Sequence, residues 1–167
     1  MNTLHFRLLI ISLVTLISWS TLRAEDIRQL SVGDAVPSLV VTDQFNKAAP
    51  ISVETEKIIF IADMDANNLT HPLFEKEGDA YLRKHKSVLI FDIHLMPSLI
   101  STFIAIPKMR DYPYTMHLIR EEKMGELFPH AKGQATLIQV KDGKITGIRL
   151  GKTTEEIRLF LESVLEH

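Results

Sequence analysis

The side chains best suited to chemistry are carboxylates and imidazoles that follow two apolar runs of the chain. They are Asp63, Asp65, His71, Asp92 and His94. Imidazole together with carboxylates suits zinc or a similar ion, whereas the neighbouring thioethers of Met64 and Met96 would favour Cu(I). One interpretation is therefore a metal site, or the centre of a non-thiol enzyme, built from Asp65, Asp92 and His94. Asp63 could take the place of Asp65 in such a site.

The same residues have a structural interpretation. Asp63 and Asp65 would cap the start of a helix, and His94 would form a hydrogen bond at the end of a strand. The sequence has no pair of histidines four residues apart and no dense ligand cluster, so the spacing favours this structural interpretation. It also has no G-x-S-x-G elbow and no glycine-rich phosphate loop. We therefore predict no cofactor.

Strands alternating with helices would position these residues. Residues 57–63 and 87–93 are continuous apolar runs, typical of strands that are covered on both faces. Apolar residues recur at helical spacing over residues 72–85, which predicts a helix with Pro72 in its first turn. In a parallel sheet, sites form at the carboxyl ends of the strands beside helix N-termini. The junction at residues 58–74 is therefore the expected location of a site.

The remaining elements complete an α/β pattern. The sequence predicts a short strand at 39–42, a helix at 97–109, a strand at 114–120, a β-hairpin at 134–150 and a last helix capped by Thr153 or Thr154. The hairpin is indicated by the turn pair Asp142-Gly143 between two β-rich runs. This order predicts a mixed sheet with helices on both faces, ending in a hairpin and a helix.

Composition excludes several classes of protein. The chain has 167 residues, a formal net charge of −2 and no cysteine. Because it lacks a basic run or an arginine stripe, we predict no nucleic-acid surface. Without cysteine there can be no disulfide framework, so the fold depends on packing.

The N-terminus has the layout of a secretory signal peptide. Arg7 precedes an apolar run at residues 8–19, and the small residue Ala24 follows it. The run is too short for an ordinary membrane span. We expect a signal peptide at 1–24, a single domain at 25–167 with no stable membrane span, and a periplasmic location. The alternative is an uncleaved segment that anchors the protein in the inner membrane.

Three stretches resemble the thioredoxin-like superfamily. They are residues 32–47, residues 60–72 and residues 114–143. Their order is most similar to that of periplasmic thiol-disulfide proteins and peroxiredoxins that begin with an extra N-terminal segment. The resemblance implies a three-layer sandwich over nearly all of residues 25–167.

The resemblance also identifies what is missing. In the redox members a Cys-x-x-Cys motif opens a helix, and a proline follows the second cysteine by four residues. Pro72 follows Asn68 by four residues here, which places the cysteine positions at Asp65 and Asn68. The family's cis-proline maps to Gln134 or Ala135. Neither a carboxylate nor an amide can form a mixed disulfide, so thiol redox chemistry is excluded. The resemblance then points to cysteine-free exported proteins of this superfamily.

The helix at 97–109 has more apolar residues than one buried face needs. They include Leu99, Ile100, Phe103, Ile104 and Ile106. One interpretation, the commoner one for apolar helices, is a helix buried on two sides. The other is an exposed face that contacts a protein or a lipid.

Together these observations predict a non-catalytic periplasmic binding or protein-interaction module on a thioredoxin-like fold. Its partner would be another exported or envelope protein. Its binding surfaces would be the old active-site groove, lined by residues 63–72 with Gln134 and Ala135, and the helix at 97–109. The alternative function is a metal-binding protein or non-thiol enzyme that uses Asp65, Asp92 and His94.

Overall fold

A mixed β-sheet is the centre of the molecule. The computed structural model describes residues 27–39 and 41–164, so the predicted signal peptide at 1–24 lies outside the described residues. The five strands of the described sheet are β1 (Lys57–Ile61), β2 (Ser87–Asp92), β3 (His117–Ile119), β4 (Ala135–Lys141) and β5 (Lys144–Gly151). Their spatial order is β3-β2-β1-β4-β5. β2 runs parallel to β1 and β3, while β4 is antiparallel to β1 and β5.

Helices connect these strands. They are α1 (Met64–Lys84), a continuous helical segment α2 made of three pieces (Ser98–Ile100, Ser101–Ala105 and Ile106–Met109), α3 (Glu122–Gly125) and α4 (Thr154–Glu162). The middle piece of α2 is a π-helix, and its flanking pieces are α-helical. The predicted helix at 97–109 is thus present with a widened centre.

Two apolar clusters cover the two faces of the sheet. The first contains Phe74 and Leu82 of α1, Ile106 and Met109 of α2, and Ile157 of α4. The second contains residues of the N-terminal segment, including Leu39 and Val41, and is flanked by Met124 and Leu127 in and after α3. The longer helices therefore lie on one face, and a short helix with loops covers the other.

Local sequence signals set the C-terminal elements. Asp142 and Gly143 have φ values of 51° and 72°, the left-handed conformations that a two-residue hairpin turn requires. Thr153 caps α4, because its hydroxyl accepts a hydrogen bond from the N–H of Glu156 at 3.1 Å. The predicted hairpin and cap are both confirmed.

The predicted start of the first helix and the predicted strand at 39–42 were wrong. α1 begins at Met64, so Pro72 lies inside the helix rather than in its first turn. Gly78 then interrupts the helical geometry with a φ of 69°, where the N–H of Asp79 donates to the carbonyl of Pro113. The segment 39–42 forms no strand in its described residues; Thr42 makes isolated bridges with Ala48 and Leu118. Val40 lies outside the described residues.

No helix within residues 27–39 and 41–164 is long and apolar enough to cross a membrane.

Candidate functional site

The end of β1 and the start of α1 form the junction at which the sequence predicts a site. β1 is buried along its whole length, and the chain leaves the sheet at Ala62. Asp63 is the N-cap of α1, and its Oδ1 accepts a hydrogen bond from the N–H of Ala66 at 2.8 Å. The carboxylate satisfies a helix N–H that has no partner within the helix, which is why the helix starts here. Asp63 therefore acts as the predicted cap.

Asp65 and Asn68 lie on the exposed surface of the first turns of α1. Because they are three residues apart in a helix, they share one face, as two cysteines in this motif would. Pro72 is exposed on the next turn. Asp65 is in the first turn, where a negative charge is favourable, but the capping bond is made by Asp63.

The loop that carries the mapped cis-proline position approaches the same helix start. The N–H of Gly133 donates to Oδ2 of Asp63 at 2.9 Å. A Cβ at Gly133 would lie 3.6 Å from the Cβ of Asp65. Gln134 and Ala135 follow directly, so the structure brings the two halves of the degenerate motif together. No cis peptide bond occurs in the described part of the chain.

Two buried amide oxygens lie in these segments. Oδ1 of Asn67, in α1, and Oε1 of Gln134 have no hydrogen-bond partner among the described residues. An unsatisfied buried acceptor costs about 1–3 kcal/mol. Sequence reasoning missed Asn67, because the burial of this polar residue beside the exposed Asn68 depends on the tertiary fold.

Asp92 and His94 form a close pair at the end of β2. Nδ1 of His94 lies 2.7 Å from Oδ1 of Asp92, and the His94 backbone N–H donates to the same oxygen at 3.0 Å. The side chain of Asp92 is 6% exposed and that of His94 is 15% exposed. Because a carboxylate accepts hydrogen bonds, Nδ1 of His94 is the donor in this contact.

Gly125 of α3 makes room for this pair. A Cβ at Gly125 would lie 1.8 Å from Oδ2 of Asp92, so another residue there would displace the carboxylate. Asp92 thus closes the turn after β2 and fixes the histidine ring, as the structural interpretation predicts for His94.

The predicted metal site is not assembled as a ligand cluster. Asp65 lies beside Gly133, while Asp92 and His94 bond to each other. No group of three or more histidine, aspartate or glutamate side chains placed to hold a metal ion is found in residues 27–39 and 41–164. A two-residue pair does not provide the four ligands of a structural zinc site.

His71 does not lie with the other polar residues that follow the two apolar runs. It packs in a cluster with Glu75, Tyr112 and Tyr114 instead. Its Nδ1 lies 2.8 Å from the hydroxyl of Tyr114, its Nε2 lies 3.2 Å from Glu75, and its ring packs 4.5 Å from that of Tyr112. Burial raises the pKa of Tyr114, and its hydroxyl shares a hydrogen bond with Nδ1 of His71. The cluster ties α1 to the chain that follows α2. The four-residue spacing of His71 and Glu75 indicates their contact from the sequence. The contact with Tyr114 has no local sequence pattern, because Tyr114 is 43 positions away.

The predicted interaction residues of α2 divide between surface and core. Leu99, Ile100, Phe103 and Ile104 are 71%, 45%, 72% and 63% exposed, whereas Ile106 is 8% exposed. The interpretation of a helix buried on two sides is therefore wrong. Ile106 also has to be removed from the predicted face, since it packs in the core with Met109. We refer to the four exposed residues as the apolar face.

A cavity also lies elsewhere in the described part of the chain. It has a volume of about 510 Å³ and is open to solvent between β5 and the end of α4, where Leu137, Arg149 and Phe160 line it. The guanidinium of Arg149 lies over the ring of Phe160 at 5.2 Å. Neither the junction nor the apolar face contributes to it.

Comparison with solved structures confirms the fold. The chain is similar to the peroxidoxin BcpB from Mycobacterium tuberculosis (9% identity, 80% of this chain and 95% of that chain, TM-score 0.54). It is also similar to the thioredoxin domain of a thiol-disulfide oxidoreductase from Bacteroides vulgatus (10% identity, 80% and 100%, TM-score 0.53). A third similar structure is StoA from Bacillus subtilis (15% identity, 77% and 100%, TM-score 0.50). Comparisons with protein-family models and with curated proteins give no match.

These likenesses establish an α/β thioredoxin-like fold, as predicted, and at such low identity they establish the fold alone. The chain carries that fold without any cysteine. Thiolate is the attacking group in thiol–disulfide exchange, so no residue of this chain can perform that reaction.

Proposed function

We propose that this cysteine-free thioredoxin-like domain is a non-catalytic binding module of the cell envelope. Its partner is another exported or envelope protein, which binds at the apolar face of α2. The signal peptide at 1–24 would export it to the periplasm; if that segment stays uncleaved, the domain is held at the inner membrane. The observation that carries the proposal is the exposure of the apolar face.

The apolar face is a costly feature for a domain that has no partner. Large side chains within one helical segment leave 45–72% of their surface in water. Contiguous apolar surface of this kind commonly marks an interaction site. Packing of α2 on the domain does not require it, because Ile106 and Met109 make the core contacts. Binding of a partner is therefore the favoured explanation of these four residues.

The predicted groove begins at the same edge of the sheet as the segment that leads to α2. β1 and β2 are parallel, with Ile61 opposite Phe91, so the segments that leave them emerge side by side at one edge of the sheet. One segment leads to Asp65 and Asn68, and the other leads to α2. A partner on the apolar face can therefore also reach the groove, where it would be bound without thiol exchange.

The alternative function, a metal-binding protein or non-thiol enzyme, has weaker support. The contacts of Asp92 and His94 are explained by the turn after β2, and Asp65 points to a different neighbour. A test of the proposal therefore has to compare variants of the apolar face with variants of these polar residues.

The experiment compares captured proteins from envelope extracts after reversible cross-linking. We expect Phe103→Glu to abolish capture of the partner, because a charge at an apolar interface must be desolvated without a counter-charge. The double variant Asp65→Ala, His94→Ala should retain capture. Phe45→Glu is the matched control, since Phe45 is an exposed phenylalanine, 49% exposed, in a separate turn.

The opposite pattern would overturn the proposal. Loss of capture, or of an associated cellular phenotype, in the Asp65→Ala, His94→Ala variant but not in Phe103→Glu would favour chemistry at the polar residues. Thermal unfolding of each variant checks that a loss does not come from misfolding.

A further inference from the structure

We propose that the outer edge of β5 binds an extended acidic peptide segment, which adds to the sheet as a further antiparallel strand. An acidic residue of that segment would lie opposite Arg149, between two apolar residues. This surface is separate from the apolar face of α2, so the inference does not depend on the proposed function.

β5 is an edge strand of the sheet, and only its first residues are covered. The N–H of Gly33 donates to the carbonyl of Ile145 at 2.8 Å, and the N–H of Ile145 donates to the carbonyl of Asp34 at 2.8 Å. No described residue makes such backbone hydrogen bonds to the outer side of residues 146–151. Most of this edge is therefore open in the part of the chain that the structure describes.

The strand register shows which residues of β5 face outward. The N–H of Val140 in β4 donates toward β1, to the carbonyl of Glu56, at 2.8 Å. Backbone groups alternate in direction along a strand, so residues 135, 137 and 139 of β4 bond to β5. Their partners in β5 are residues 151, 149 and 147. Ile148 and Leu150 alternate with these partners, so their N–H and C=O groups point away from the sheet.

An added strand can satisfy these outward groups. Ile148 and Leu150 each offer one donor and one acceptor. Two residues of an antiparallel strand, spaced two apart, would bind all four groups. Main-chain pairing at a sheet edge is a recurring mode of peptide recognition. The occupant that fits this edge is therefore an extended segment and not a helix.

The charge of the edge favours an acidic occupant. Residues 143–152 include Lys144, Arg149 and Lys152 and contain no Asp or Glu. Arg149 is exposed and forms no ion pair with any described residue. The middle residue of the added strand would lie directly opposite it, with its side chain on the same face of the sheet. A Glu in that position would pair with the guanidinium.

Two cavities beside Arg149 leave room for the side chains of an added strand. Their volumes are about 510 and about 370 Å³, and Leu137 and Arg149 line both. The ring of Phe160 holds the guanidinium in place, 5.2 Å from its centre. Among the described residues that line them, the acidic one is Glu156, whose carboxylate accepts from the N–H of Lys152 at 2.6 Å. Arg149 therefore stays available for a carboxylate of the peptide.

The two outward-facing residues favour apolar neighbours. Side chains alternate along a strand, so those of Ile148 and Leu150 lie on the face opposite to Arg149. Leu150 is 40% exposed, and Ile148 is half-buried. Apolar residues directly opposite them in the added strand would cover this surface. The edge therefore selects an apolar–acidic–apolar pattern.

A second copy of β5 does not fit the same edge. Antiparallel pairing of two β5 strands through Ile148 and Leu150 would place the two Arg149 residues directly opposite each other. Like charges in that position destabilise strand pairing, and a charge on an edge strand commonly protects it from pairing with its own kind. Arg149 thus favours an acidic strand over another copy of this chain.

The first measurement is a chemical-shift titration of the full chain, isotope-labelled and purified as cells process it. The probe is acetyl-Asp-Val-Glu-Val-Asp-amide, and acetyl-Lys-Val-Lys-Val-Lys-amide is its matched control. The acidic peptide should bind with a dissociation constant of about 0.1–1 mM, with shifts centred on Ile148 and Leu150. The basic peptide should bind about tenfold more weakly, and Arg149→Glu should reverse this preference. Equal binding of both peptides, or shifts confined to another surface, would overturn the proposal.

The second measurement tests the strand pairing itself. N-methylation of both valines removes the N–H groups that would donate to Ile148 and Leu150, and it should abolish binding. N-methylation of the glutamate is the control, because its N–H would point away from β5. Binding that survives methylation of both valines would show that the edge is not used.

A pair of protein variants gives the complementary test. Leu150→Pro removes an outward N–H and should weaken binding of the acidic peptide about tenfold. Proline is tolerated where the N–H of an edge strand faces solvent, and thermal unfolding checks that the variant is folded. Leu150→Ala keeps the N–H and should retain most of the binding. A folded Leu150→Pro variant that binds as tightly as Leu150→Ala would contradict strand addition at β5.

Discussion

Asp65 and Asn68 are the residues that the resemblance predicts at the two cysteine positions, and they carry oxygen and nitrogen in place of sulfur. The helix end that would stabilise a thiolate remains, since α1 still begins at this point. With Asp65 in the first turn, that partial positive charge contributes about 0.3–1 kcal/mol of helix stability. The same local electrostatics thus supports structure where it would otherwise support catalysis.

His117, on the edge strand β3, is a second residue whose surroundings change its chemistry. Burial lowers the pKa of its imidazole, although the carboxylates of Asp43 and Asp79 act in the opposite direction. Its Nδ1 has no hydrogen-bond partner in the described part of the chain. The folded protein therefore favours neutral His117.

This shift sets the sign of a pH effect on stability. Below the unfolded pKa of about 6.5, the unfolded chain binds a proton that folded His117 does not bind. The free energy of unfolding should therefore fall on acidification, by at most about 1.4 kcal/mol per pH unit, until the folded pKa is reached. Urea unfolding of wild type and His117→Gln at about pH 7.5 and about pH 5.5 measures it. An equal loss of stability in both proteins would contradict this assignment.

At the scale of elements, α1 shows how one cap decides where a helix begins. Asp63 accepts hydrogen bonds from Ala66 within the helix and from Gly133 in the loop before β4. It therefore fixes the helix start and the facing loop together. Asp65, two residues later, is exposed.

These contacts predict different costs for two neighbouring aspartates. Asp63→Ala should lower the free energy of unfolding by about 1–2 kcal/mol, since it removes the cap and leaves the Gly133 N–H without its partner. Asp65→Ala is the matched control and should cost less, about 0.3–1 kcal/mol, because it removes only the favourable interaction with the helix dipole. Chemical denaturation of the two variants gives both values; equal costs would mean that Asp63 is not the effective cap.

The elements that sequence predicts well are those set by local chemistry. Asp142-Gly143 specifies the hairpin because the turn needs two left-handed residues in succession. The start of α1 was harder, because Pro72 is typical of a first turn yet lies inside the helix. The decisive contact, Asp63 with Gly133, joins residues 70 positions apart and leaves no local pattern.

The difference between local sequence signals and contacts of distant residues also explains which parts of the candidate site could be predicted. The resemblance paired Asp65 with Asn68, and sequence position placed Asp92 near His94. It could not place Gly125 against Asp92, or Tyr114 against His71, since those contacts depend on how distant segments pack. Nor could it tell the exposed residues of α2 from Ile106, because all are apolar.

Lys57 shows a further tertiary effect at the scale of elements. It lies in a buried strand, and its Nζ donates to the carbonyls of Leu161 and Ser163 at 2.6 and 2.7 Å. A cation at the C-terminal end of α4 is favoured by the helix dipole. Burial lowers the pKa of this amine. The charge thus couples the central strand to the last helix.

At the scale of the whole molecule, a thioredoxin-like fold is combined with an exposed apolar face and no cysteine. The exposed side chains of Leu99, Phe103 and their neighbours form the surface that we propose binds the partner. The central claim is that this surface, and not the junction chemistry, carries the function.

Site-specific photo-cross-linking in living cells tests that claim most directly. A benzoylphenylalanine in place of Phe103 should give a discrete cross-linked protein species, because the side chain would lie inside the interface. The same probe in place of Phe45, an exposed phenylalanine outside the face, should give none. Identification of the cross-linked protein would then name the partner. Equal labelling at both positions, or none at Phe103, would contradict the account.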